Sequence, residues 1–199
     1  MLRRQLLSAL ITTVVLTVLL GFAYPLAVTG VAQVAFSRHA NGTLATVGSK
    51  VVGSSLIGQA FTDTSGKPLP RYFQARPSAA GKVPGYDTRA TGGSNLGPSD
   101  EGLRDAVAAR VAAYRQLNGL AAGDPVPVDA VTSSGSGIDP DISVANARNQ
   151  VARVARERRM AEDTVRRLVD AHRTARPWGF LGEDTVNVVD LNLALDRTP

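Results

Sequence analysis

Between Gln5 and Ser37 the chain runs 33 residues without a charged side chain, most of them Leu, Val, Ala, Ile or Thr. That run constrains the fold more than any other feature. A bilayer core needs roughly 20 apolar residues as helix, so the run is long enough to span even when tilted. Lipid offers no partner to an unpaired amide, so the segment must close its backbone hydrogen bonds internally as a helix. Leu10, Val14, Leu20, Pro25 and Val31 are its anchor residues, spread from end to end. Met1-Leu2-Arg3-Arg4 ahead of the run also suits a secretory signal, with Ala32-Gln33-Val34-Ala35 as a poor cleavage motif. Signal cores are normally only ~7–15 residues long, which favours an uncleaved anchor.

Arg3 and Arg4 place the short N-terminal tail in the cytoplasm by the positive-inside rule. Arg38 and Lys50 lie at the other end, but long domains cross largely regardless of their charge. The expected organisation is therefore a cytoplasmic tail and transmembrane helix over 1–37, then one extracytoplasmic domain over 38–199. The chain has no cysteine, which removes disulfides, thiolate metal sites and cysteine nucleophiles together. About 160 residues bury an adequate core without staples. A net charge of +5 is too small a bias for a nucleic-acid partner.

The pattern of the exported part is α+β. Residues 38–60 read as a connector into a strand carrying Val47, Val51 and Val52. Residues 62–98 are rich in turn dipeptides such as Ser65-Gly66, Pro84-Gly85 and Gly92-Gly93, with Arg71-Tyr72-Phe73-Gln74 as a strand candidate. A helix follows, capped by Ser99 and ended at Asn118-Gly119, with Leu103, Ala106, Val107, Val111, Tyr114 and Leu117 on one stripe. Val126 and Val128 alternate as a strand. Val144 to Ala155 and Val165 to His172 make two more amphipathic helices, the first capped by Ser143 or Asp141. Residues 143–176 hold nine arginines against four acids, read as a solvated polar face. The end brings a strand at Val186 and Val188 and a short helical turn over 191–195.

Enzyme signatures are missing. Gly66-Lys67 and Gly81-Lys82 continue into Pro and Val, so neither makes a phosphate-binding loop, and no Gly-x-Ser-x-Gly elbow occurs. Two histidines without cysteine leave no zinc-binding set; His39 and His172 are read as structural. One segment stays open, the glycine-serine stretch Ser133–Ser143. Small residues let successive amides point at an anion, with Ser134, Gly135, Ser136, Gly137 and Asp139 as nucleotide-contact candidates. The same residues also read as a plain turn, with Asp139-Pro140 starting it and a cap closing it, and the chemistry favours that reading.

Six blocks in one order carry a resemblance: the span ending in Tyr24-Pro25, "GSSLIGQAF", "YFQARPSA", "GGSNLGPSDEGL", "TSSGSGIDPDIS" with "ARNQVARVAR", and "WGFLGEDTVNVVDLNLALD". Over nearly its whole length the chain resembles the C subunit of the bacterial Kdp potassium-transporting ATPase. Relatives often carry His where this chain has Asp141. The resemblance implies a non-catalytic accessory subunit in the cell membrane. Its partners would be a channel-like potassium-translocating subunit and a P-type ATPase subunit that hydrolyses ATP. It further implies a catalytic chaperone that raises the pump's ATP affinity, with potassium as the transported ion and the glycine loop credited with touching ATP. The topology read from Arg3 and Arg4 opposes that contact, because ATP is cytoplasmic. A free-standing anchored envelope binding protein or hydrolase is the alternative, disfavoured by Thr12, Thr13 and Thr17, which suit packing against partner helices.

Overall fold

The computed structural model describes residues 2–82 and 84–198. The chain divides into two compact units, Met1–Thr43 and Leu44–Pro199.

In the first unit, helix α1 (Leu2–Val18) passes through a π-helical turn (Leu19–Ala23) into α2 (Tyr24–Ala35), and a one-turn helix α3 (Ser37–Ala40) follows. Pro25 explains the π turn. It has no N–H to offer the preceding turn and its ring crowds the carbonyl four residues back, so the helix widens just before it. The rod from Leu2 to Ala35 is 34 residues, about 50 Å of helix against a hydrocarbon core of about 30 Å. None of its residues is buried, and Leu10, Val14, Leu20 and Val31 are all more than half exposed. An apolar helix that shows its side chains on every side needs lipid or partner helices around it.

The second unit opens with an antiparallel hairpin, β1 (Leu44–Val47) and β2 (Lys50–Ser54), turned at Gly48 with φ +60°. The single expected strand is thus a pair. A long irregular segment follows to α4 (Glu101–Asn118). Asp100, and not Ser99, caps α4, accepting from Leu103 N at 3.1 Å, while Gly119 closes it in the left-handed conformation.

The core is built by two units of the same design. Strand β3 (Asp141–Ser143) runs into α5 (Val144–Arg158), and β5 (Thr185–Asn187) runs into α7 (Val188–Arg197). In each, the last strand residue caps the helix: Ser143 Oγ accepts from Asn146 N, and Asn187 Oδ1 from Asp190 N, both at 3.0 Å. The strands pair antiparallel, which sets Ile142 against Val186, both buried, and β4 (Arg173–Thr174) adds to the other edge of β5. Helix α6 (Glu162–Ala171) packs Val165 and Val169 onto α5 and α7. The expected turn over 191–195 is part of the longer α7.

Two expected strands are absent at their positions. Val128 lies in a 3-10 turn (Val128–Ala130), and Val126 lies outside any strand. Arg71–Gln74 crosses the interior with no strand neighbour. Its backbone bonds instead to side chains: Phe73 N and O to the Asn192 amide, both at 2.9 Å, and Gln74 N and O to Gln150 at 2.7 and 3.1 Å. Buried amides must be satisfied, and here two side-chain amides replace a sheet ladder.

Candidate functional site

The glycine loop links the 3-10 turn to β3, and most of its polar groups bond to one another or to neighbouring segments, with Ser134 buried and Ser136 exposed. Ser134 is buried, and its hydroxyl accepts from Gly137 N at 2.8 Å and lies 3.3 Å from Ser136 Oγ. Ser136 Oγ accepts in turn from Ile138 N at 3.2 Å, and its carbonyl accepts from Gly92 N at 2.8 Å. Gly137 O accepts from Ser78 Oγ at 2.6 Å, and Ile138 O from Gly58 N at 2.8 Å. Gly137 has φ +71°, and a Cβ there would stand 2.7 Å from Gly92 O and 2.8 Å from the Ala80 methyl. Only glycine fits that point. Gly135 differs: nothing lies within 4 Å of a Cβ built there, and its φ is not positive.

Asp139 stands apart from this knot. One oxygen accepts from Asp141 N at 3.0 Å and the other pairs with Arg76 at 3.2 Å, each side chain about a quarter to a third exposed. Arg76 also donates to Ser133 O at 3.4 Å. Tyr86 donates to Arg76 O at 2.8 Å, and burial, then the Asp139 charge, pushes its phenol well above the usual range. The structure thus brings Ser134, Ser136 and Gly137 into one hydrogen-bonded turn, leaves Gly135 and Ser136 exposed, and gives Asp139 to an ion pair.

Beside the loop lies a cleft of about 500 Å³ lined by Arg76, Thr132, Ser143 and the acids Asp129, Asp139, Asp141, Glu183 and Asp184. Asp129 is engaged by Ser143 N and Oγ at 2.8 Å each and by the Asn146 amide at 2.9 Å. Burial, then the charge of Asp139, raises the Asp141 carboxyl above its ordinary value. Five carboxylates stand against Arg76, Arg173 and Arg176, each arginine already paired to one of them, and the excess of negative charge disfavours phosphate. Among the described residues no three of His, Cys, Asp and Glu form a metal-binding group.

The largest correction concerns Arg153. It belongs to the arginine excess read as a solvated face, yet its side chain is fully buried. It donates to Asn118 Oδ1 at 2.9 Å, to Gln150 Oε1 at 2.6 Å, to Tyr72 O at 2.9 Å and to Pro70 O. Burial lowers its guanidinium to about 10. Gln150 reaches on to Asn146, and Asn146 to Tyr114 and Asp129, so one polar chain ties α4, α5 and the loop before β3 together. The signal was available in the spacing: Asn146, Gln150 and Arg153 lie on the same helical stripe as Ala147, Val151 and Val154.

These elements define a class: a chain with one apolar N-terminal helix long enough for a bilayer and one α+β domain held by buried polar side chains. The family model for the "K+-transporting ATPase, c chain" matches residues 6–197. Curated relatives bear the name potassium-transporting ATPase KdpC subunit. That of Mycobacterium tuberculosis is 55% identical over 98% of this chain and 99% of its own. That of Koribacter versatilis is 50% identical over 98% and 96%, and that of Allorhizobium ampelinum 53% over 94% and 93%. The chain belongs to this family, and it is a subunit of a potassium uptake complex.

Proposed function

We propose that the chain is a non-catalytic accessory subunit that raises the ATP affinity of the pump's ATP-hydrolysing subunit without itself touching nucleotide. Its helix joins the membrane part of the complex, its tail faces the cytoplasm, and its α+β domain lies outside. The effect on ATP then travels through the partner subunits as a coupling between distinct sites. The channel-like subunit and the P-type ATPase subunit are the partners, and potassium is the ion that the complex carries.

The observation that carries this reading is that the glycine loop bonds its own amides. The hydroxyls of Ser134 and Ser136 accept from Gly137 N and Ile138 N, two of the amides a phosphate cradle would have to present outward. The acidic cleft beside them supports the same reading.

The test uses the purified complex and the purified full chain. Omitting the chain should raise the ATP concentration for half-maximal hydrolysis, while the chain alone should bind no ATP at micromolar concentrations. Micromolar binding abolished by changing Gly135 and Gly137 would overturn the indirect route. A reporter fused after Pro199 should behave as extracytoplasmic; cytoplasmic activity would restore direct contact.

A further inference from the structure

We propose that the loop between β4 and β5 is a docking knob, carried by Trp178, Phe180 and Leu181, that seats in an apolar, uncharged pocket on a partner subunit of the potassium-transporting complex. The inference rests on the accessory-subunit reading and adds the surface through which the domain engages.

The exposure is the first observation. Trp178 is 84% exposed, Phe180 70% and Leu181 44%, all within four residues. The two rings lie with centroids 6.3 Å apart, so they form one patch. Scattered single apolar side chains on a surface are ordinary, whereas clustered aromatic residues mark a contact.

The loop is also held ready. Asp184 accepts from Arg176 N at 2.9 Å and from Arg173 Nε at 3.1 Å, with a further bond from the Arg173 terminal nitrogen, which closes the base. Within the loop, Gly179 N donates to Arg176 O and Leu181 N to Pro177 O, both at 3.1 Å. Trp178 adopts φ +53°, a conformation that costs a non-glycine residue and persists only where the surroundings enforce it. A preformed loop loses little freedom on binding, and tryptophan is enriched among residues that dominate interface affinity.

Charge selects the occupant. Arg173 and Arg176 both pair with Asp184, and Glu183 beside them is exposed. The loop has no surplus cation for anionic headgroups, which interfacial membrane binding exploits. A neutral apolar pocket on a protein answers both the rings and the balanced charge.

The experiment co-expresses the tagged full chain with the ATP-hydrolysing and channel-like subunits and measures their recovery in detergent. A double variant, Trp178→Ala with Phe180→Ala, should recover both subunits about tenfold less than the natural chain, while its melting temperature is unchanged. Undiminished recovery overturns the knob, and so does a lowered melting temperature, which would make the rings part of the fold. If the natural chain itself recovers neither subunit, the accessory reading falls and this inference with it.

Trp178 is the chain's one tryptophan, so its fluorescence reports this loop alone. In the full chain reconstituted by itself into phosphatidylcholine–phosphatidylglycerol vesicles with brominated acyl chains, no quenching is expected. Strong quenching would give the loop to lipid and overturn the proposal.

Discussion

The loop at Ser133–Asp139 and the loop at Arg176–Gly182 both combine glycine with a turn, yet they face opposite ways. In the first, the Ser134 and Ser136 hydroxyls bond to amides of the loop, its carbonyls bond to Ser78, Gly92 and Gly58, and a Cβ on Gly137 has no room. In the second, a Cβ on Gly179 or Gly182 meets nothing within 4 Å, and the large side chains project into solvent. Glycine content is therefore no guide to ligand binding. What distinguishes a structural turn from a contact surface is where the remaining polar groups and rings go.

The largest effect is expected deep on the inward side. Arg153→Met removes the guanidinium and leaves Asn118 Oδ1 and the Pro70 carbonyl without a donor, while Gln150 Oε1 and the Tyr72 carbonyl each keep only their bond from Gln74. Stranding buried acceptors of a charged group costs about 3–5 kcal/mol, or roughly 10 °C in melting temperature for a domain this size. Thermal unfolding of the full chain in detergent checks it. A loss under about 1 kcal/mol would show that the network is not what holds the irregular segment in place.

Next in size is the contrast within the first loop. Gly137→Val places a branched side chain at φ +71° and against Gly92 O, for about 1–3 kcal/mol of backbone strain plus a similar packing cost. Gly135→Val meets open space and should stay within about 0.5 kcal/mol of the natural chain. Equal melting temperatures for the two variants would break the account of the loop as a closed turn.

Periodic features were legible in the sequence because they follow from one-dimensional spacing. The apolar rod, the stripe of α4, a cap at Ser143 or Asp141 (Ser143 in the structure) and the burial of Val151, Val154, Val165 and Val169 all came from it. Arg71–Gln74 misled because Tyr72 and Phe73 have strand propensity, while the groups that satisfy its backbone, Asn192 and Gln150, lie far along the chain. Arg153 misled for a similar reason: composition treats arginines alike, and only its helical phase separates it from Arg156 and Arg166 on the surface. At the glycine loop the small residues showed a turn, but partners such as Ser78 and Gly92 are invisible until they come to lie against it.

A smaller effect should separate the acidic cleft from the loop beside it. The Asp141 carboxyl is raised by burial and by Asp139, so the native state holds this proton more tightly than the unfolded chain does. Stability is then lost as pH rises through the folded value, and ionised Asp141 is mildly unfavourable at neutral pH. Asp141→Asn should raise the melting temperature slightly at pH 7, with the gain vanishing once both states are protonated in acid. An unchanged or lowered melting temperature at neutral pH would show that Asp141 contributes a contact that outweighs its burial.

The smallest effect on global stability concerns the clamp under the outward loop. The backbone amide of Arg176, then the Arg173 guanidinium, holds the Asp184 carboxyl below its ordinary value. A depressed carboxylate contributes fully above its unfolded value and loses that contribution as pH falls through the lower, folded one. Acid should therefore release the loop only below the ordinary carboxylate range, near pH 4. Trp178 fluorescence anisotropy follows the release, because no other tryptophan contributes. In Asp184→Asn the charge is gone, so anisotropy should already be low at pH 7 and flat through the acid range, while the melting temperature barely moves. If Asp184→Asn instead kept the natural acid transition, a different titrating group would be the clamp.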